Sequence, residues 1–105
     1  MRLLFSGLLL LTACTPALPI VTDGDRAWAR RAFPETQDDL DESRGLYAQK
    51  CSGCHLLVLP HKVPQGEWPR VVDKMAPKAH LTESEQVQIL RYVLTASRPD
   101  KALAQ

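Results

Sequence analysis

Cys51-Ser52-Gly53-Cys54-His55 holds the residues in this 105-residue chain that packing explains least well. Two thiols stand three positions apart, and an imidazole follows the second directly. In that order and spacing they read as a c-type haem attachment site. Each thiol adds to one vinyl group of a porphyrin and forms a thioether. The two-residue spacer lets one turn of backbone present both sulfurs to one edge of the ring. His55 then falls under the iron and supplies the proximal nitrogen ligand. Ser52 and Gly53 are small, so the spacer can lie close to the macrocycle. Two other uses of the pattern fit less well. A thioredoxin-like redox pair needs a βαβ context, and no strand pattern surrounds this one. A structural zinc site needs four ligands, and only Cys51, Cys54 and His55 cluster here, with His61 and His80 loosely placed.

An iron held by His55 keeps a sixth position, for which the chain offers Met75, His61 and His80. Met75 is the expected ligand. It lies 20 residues after His55, and at about 3.3 Å per extended residue the loop can pass round a haem edge. Pro77 follows closely and favours a helix end, where a side chain can turn inward. The competing role for Met75 is an ordinary core methionine on the face of Val71 and Val72. Thioether ligation would raise the reduction potential. His61 and His80 read more simply as solvated loop residues.

Length and charge agree with a haem protein. The chain has room for one small domain, and a core of that size is marginal without a staple. A covalently held haem is such a staple. The formal charge is +1, and losing Arg2 with a leader leaves 12 basic and 12 acidic side chains. That balance argues against nucleic acid and against a strong steering field.

Leu3 to Leu11 is an apolar run broken by Ser6 and Gly7. It is shorter than the roughly 20 residues of a membrane-spanning helix and reads as a signal-peptide core. Leu11-Thr12-Ala13-Cys14 follows, and it resembles the lipobox of bacterial lipoproteins. The resemblance implies a signal peptide over 1–13 and an acylated Cys14 at the mature N-terminus. Several acyl chains, at about 0.8 kcal/mol per buried methylene, would anchor the chain to membrane. With Cys14 carrying lipid and Cys51 and Cys54 carrying haem, no cysteine is left for a disulfide. Thr15 stands where an aspartate can act as an inner-membrane retention signal, which favours the outer membrane, facing the periplasm.

The remaining elements are legible from caps and periodicity. Thr15 to Thr22, with Pro16 and Pro19, reads as a tether. Thr22 caps a helix to about Phe33, with Asp23 and Asp25 at its positive end. That helix is expected to pack on the domain through Trp28 and Phe33. Asp38 or Asp39 caps a second helix, with Leu40, Leu46, Tyr47 and Ala48 as its apolar positions, leading into the haem motif. Leu56 to Gly66 is a loop. Its run Leu56–Leu59 lines a haem crevice, and a carbonyl near Pro60 or Pro64 accepts a hydrogen bond from the other nitrogen of His55. Gly66 to Met75 is a helix with Pro69 in its first turn. Its Trp68 is a core residue whose indole N–H is placed to reach a haem propionate. Thr82-Glu83-Ser84-Glu85 is a capping box. It starts a helix to about Ser97 with a stripe of Val87, Leu90, Val93 and Leu94, and Ile89 and Tyr92 beside it. Asp100 to Gln105 reads as a frayed end.

Over 38–97 the chain resembles class I cytochromes c. The haem motif, Tyr47 four residues before Cys51, the succession Trp68, Met75, Thr82, and the Ile89-x-x-Tyr92 pattern carry the resemblance. Where that family has glycine eight residues before the first cysteine, this chain has Ser43, with Gly45 nearby. The resemblance implies an all-α cytochrome c fold of about four short helices and a domain over 38–105, preceded by a lipid-anchored tether over 14–37. It implies one-electron transfer through one haem c, with redox proteins as partners, no catalytic residue, and export, since bacterial c-type haem is attached outside the cytoplasmic membrane. Other functions in view are a ligand-binding or sensor haem protein with an open sixth site and an electron-transfer subunit of a larger oxidoreductase.

Overall fold

The computed structural model describes residues 18–36, 39–52 and 57–102. Among these there are helices, turns and loops but no strand. The local start signals act as the sequence expects. Thr22 accepts from the Asp25 N–H, and the Asp25 carboxylate reaches back to the Thr22 N–H at 2.8 Å. This capping box opens α1, Asp23–Ala32. Asp39 accepts from the Asp41 N–H and opens α2, Leu40–Cys51. Two 3-10 turns, Pro60–Lys62 and Gln65–Glu67, lead into α3, Trp68–Met75, with Pro69 in its first turn. Thr82 and Glu85 form the second capping box, at the head of α4, Glu83–Ala96. A short α5, Pro99–Ala102, follows. No helix among the described residues is long and apolar enough to cross a membrane.

α4 is the spine, contacted by α1, α2, α3 and both 3-10 turns. So many neighbours bury a wide arc of it, and that moves its core stripe. Ile89, Tyr92, Val93 and Ala96 are buried, and so are Arg91 and Thr95. Val87, expected in the stripe, is 49% exposed. Both faces of this helix are apolar enough to pass a periodicity test, and the neighbours decide between them. α2 crosses α4 with Ser43 fully buried, its hydroxyl turned back to the Asp39 carbonyl at 3.1 Å. The crossing therefore takes a serine where class I cytochromes have glycine. Gly45 faces open space instead.

The N-terminal stretch is gripped by the body from Leu18 on, rather than only from α1. Leu18 is buried in the main core cluster. Arg44 donates to the Leu18 and Pro19 carbonyls at 2.8 and 3.1 Å, and the Tyr92 hydroxyl donates to Pro19 at 2.7 Å. Burial pushes the Tyr92 hydroxyl up to about 12, so it remains a donor at neutral pH. α1 then lies on α4 through Ala29, which is 1% exposed. Trp28 and Phe33 are half-buried as an edge-to-face pair 5.9 Å apart, with Arg98 over the first ring and Arg91 over the second.

Asp25 closes this arrangement. Its side chain is 1% exposed and meets Arg98 at 2.8 Å and the Lys101 ammonium. Lys101 also donates to the Ile20 carbonyl at 2.8 Å. Of the end expected to fray, Asp100 to Gln105, the described residues 100–102 are therefore part of a helical turn, Pro99–Ala102, pinned to α1. Burial alone would raise the Asp25 carboxyl. The Lys101 ammonium and the Thr22 hydrogen bonds outweigh it and hold the group below its ordinary 3.8. A buried pair broken on one side leaves the other charge stranded. Asp25→Ala is therefore expected to cost about 3–5 kcal/mol in urea unfolding. A carboxylate depressed in the folded state adds stability that is fully present above its unfolded pKa. The advantage over Asp25→Asn should thus be complete above about pH 4 and disappear as pH falls through the lower folded value, measured by unfolding at a series of pH values.

Candidate haem site

An apolar crevice opens between α2, α3, the middle of α4 and the loop that follows the haem motif. α2 contributes Tyr47 and Cys51, the loop Val58 and Val63, and α3 Trp68, Val71, Val72 and Met75. Leu81 and Ile89 complete the lining. Its cavity volume is about 110 Å³, smaller than the roughly 300–1,000 Å³ of most ligand pockets. Its walls are apolar, as those of cofactor pockets mostly are. The only strongly polar side-chain atoms on this lining are the Tyr47 hydroxyl and the Trp68 indole N–H, and both are committed to backbone.

Tyr47 donates its hydroxyl to the Val58 carbonyl. Burial, with the Cys51 thiol and Tyr92 close by, raises its pKa well above 10 and keeps it a donor. Its ring sits edge-on to Trp68 at 6.0 Å and tilted against Tyr92 at 5.9 Å. The Trp68 indole N–H donates to the Pro60 carbonyl at 2.9 Å. It is therefore used inside the protein and does not point at a propionate, as the sequence reading had placed it. An indole buried to 2% exposure needs a partner, and the nearest 3-10 turn supplies one. The Pro60 carbonyl also takes the Val63 N–H, at 3.4 Å. The Pro64 carbonyl accepts the Glu67 N–H at 2.9 Å, and the expected contact between His55 and a carbonyl near Pro60 or Pro64 lies outside the described residues.

Cys51, on the last turn of α2, and Met75, on the last turn of α3, both face this crevice. They are 24 positions apart in the chain. Burial pushes the Cys51 thiol up, the reverse of what a metal-bound or redox-active thiolate needs. An apolar thioether suits the same place. Cys54, His55, Leu56 and Cys14 lie outside the described residues. Of the rest of the apolar run, Val58 lines the crevice, and Leu57 and Leu59 pack against the core beside it.

The two histidines behave differently from Met75. Neither His61 nor His80 is part of the crevice lining. His61 sits in the first 3-10 turn, its Nδ1 buried without a hydrogen-bond partner. His80 is exposed and has a φ of 54°, the one non-glycine residue at positive φ among those described. The Leu81 N–H reaches the Ala76 carbonyl at 3.0 Å, and the His80 N–H reaches Pro77 at 3.4 Å. This is a Schellman closure with histidine in the glycine position. It turns the chain so that Leu81 enters the crevice. Val63 and Leu81 are the lining residues that the sequence does not single out. An apolar residue placed just before a capping box was the available signal for Leu81.

Apolar walls, a cysteine of the attachment motif and a methionine meeting across a helical fold define a c-type cytochrome. The family model for dihaem cytochrome c matches residues 47–105, and the chain belongs to that family. No curated protein and no solved structure matches it. The protein is accordingly a haem-based electron-transfer cytochrome.

His80 provides a check on the site. Left-handed backbone costs a non-glycine residue about 1–2 kcal/mol, part of which glycine returns through its freer unfolded state. His80→Gly is expected to raise stability by about 0.5–1 kcal/mol in denaturant titrations. Its haem spectrum should match the wild type, because His80 stands outside the crevice.

Proposed function

We propose that this chain is a one-haem electron carrier of the bacterial envelope, with Cys51 and Cys54 as the thioether residues and His55 and Met75 as the axial ligands. The observation that carries this reading is the meeting of Cys51 and Met75 in a single apolar crevice. The family is described as dihaem, yet the 105-residue sequence contains one Cys-x-x-Cys-His motif and three cysteines. One motif supplies one covalent attachment, which supports a single haem here.

The haem supplies the one-electron couple, and the protein sets its surroundings. The apolar lining excludes water from that couple and disfavours the more highly charged oxidised state. A methionine ligand acts in the same direction and raises the potential. The ring cluster of Tyr47, Trp68 and Tyr92 keeps the walls in place, so little has to move when charge changes. Cys14 is read as the lipid anchor, which would place the carrier at a membrane on the periplasmic side, the outer membrane by the residue at position 15. We assign no catalytic residue, and redox proteins are the expected partners.

Protein made with c-type maturation machinery is expected to hold one haem by mass, retained through denaturation and acid extraction. Met75→Ala should lose the weak far-red sulfur-to-iron band, gain CO binding and lower the potential. A wild-type ferric spectrum that is high-spin or bis-histidine would remove Met75 from the site and favour a ligand-binding role. Cys14→Ser should abolish lipid labelling and membrane partitioning, while leaving the haem count unchanged.

A further inference from the structure

The grip on residues 18–22 has a consequence for how an acylated chain meets its membrane, and it rests on the reading of Cys14 as the lipid site. Only residues 15–17 separate Cys14 from Leu18. Leu18 is buried in the core, and Arg44 and Tyr92 hold the Leu18 and Pro19 carbonyls. The free span from Cys14 to Leu18 is therefore at most about 14 Å, four Cα steps at full extension. That is too short to let the domain tumble clear of the bilayer. Ile20 lies on this same segment and is 70% exposed, the most exposed large apolar side chain among the described residues. Lys101 holds its carbonyl, so the residue is presented from a fixed backbone. Asp100 and Lys101 line the same surface hollow as Ile20, Asp100 within 3.4 Å of Arg98 and Lys101 paired with Asp25.

The segment is bound to one end of α4, through Tyr92 and, by way of Asp25, Arg98. The crevice uses Met75 and Leu81, next to the opposite end of that helix, and Ile89 near its middle. Ser84, exposed in the first turn of α4, and Ala96, its last residue, are 12 residues apart, about 18 Å along the helical axis.

We propose that residues 18–22 form a membrane-contacting face. The domain rests on the phospholipid surface with Ile20 in the headgroup boundary, and the end of α4 nearest the crevice faces the aqueous side. The bilayer is the occupant because the anchor, four residues before Leu18, brings it within reach of this face. The contact is carried by the apolar Ile20 side chain, without a requirement for anionic lipid.

The test uses the acylated holoprotein in phosphatidylcholine–phosphatidylethanolamine liposomes. Ile20→Cys and Ser84→Cys are made separately, each also with a 15-residue Gly/Ser insertion between Ala17 and Leu18. With the native cysteines occupied by lipid and haem, the new thiol is the one that a charged maleimide can modify. An unchanged haem spectrum confirms folding in each variant. The thiol at position 20 is expected to react about tenfold more slowly without the insertion than with it, the scale set by covering one apolar side chain. The thiol at position 84 should react equally in both. Equal rates at position 20 would overturn the proposal, as would protection at 84. Protection at 20 that survives the insertion would overturn it too, showing a protein or a second copy on this face. Mass analysis of the Cys14 peptide reads the anchor independently. An acylated Cys14 with equal rates at 20 refutes the orientation alone, and an unacylated Cys14 refutes both.

Discussion

Tyr47 is the point at which the separate parts of this small protein meet. Its ring lies between Trp68 of α3 and Tyr92 of α4, near 6 Å from each, and its hydroxyl holds the loop that follows the haem motif. One α2 side chain thus couples α3, α4 and that loop. Edge-to-face and tilted pairs of this kind contribute about 0.5–1.5 kcal/mol beyond the area they bury. In a chain with few aromatic residues, Tyr47 with Trp68 on one side and Tyr92 on the other forms much of the wall between core and crevice. Trp68 extends the same logic by pinning Pro60, so the polar handles of Tyr47 and Trp68 are satisfied by backbone of the crevice loop, and that of Tyr92 by Pro19. The result is an apolar site whose polar groups have already been used.

A second constraint acts at the other end of α4. Asp25 is a capping residue of α1 by sequence and a buried ion-pair partner of Arg98 and Lys101 by structure. Burying a carboxylate is unfavourable unless it is paired and hydrogen-bonded. Here the cap and the pair satisfy the same group, so α1 forms and docks through one side chain. The two cations come from 73 and 76 positions away in the chain. Together with the grip of Arg44 and Tyr92 on Leu18 and Pro19, this makes the N-terminal segment part of the folded body.

The two ends give the molecule a direction. The crevice draws on the second half of α2, the whole of α3, Leu81 and the middle of α4, while the N-terminal segment is fastened nearer the tail of α4. Burial that raises the Cys51 thiol belongs to the crevice, and burial that raises the Tyr92 hydroxyl belongs to the segment. In each case a group that must stay neutral is placed where ionisation is costly.

Sequence alone determined what depends on neighbours in the chain. The Thr22 cap, the Thr82–Glu85 capping box, a cap at Asp38 or Asp39, Pro69 in a first helical turn and the haem motif itself are short-range signals, because each partner lies within four residues. The helical fold followed from them. Tertiary structure decided which of several acceptable faces is buried. It exposed Val87 and buried Ile89, since α4 is amphipathic in both readings and only its neighbours distinguish them. It gave the Trp68 N–H to Pro60, put Met75 in the crevice with Cys51 while leaving His61 and His80 outside the lining, and joined Asp25 to the far end of the chain. These choices depend on contacts between residues far apart in sequence, which no local spacing encodes.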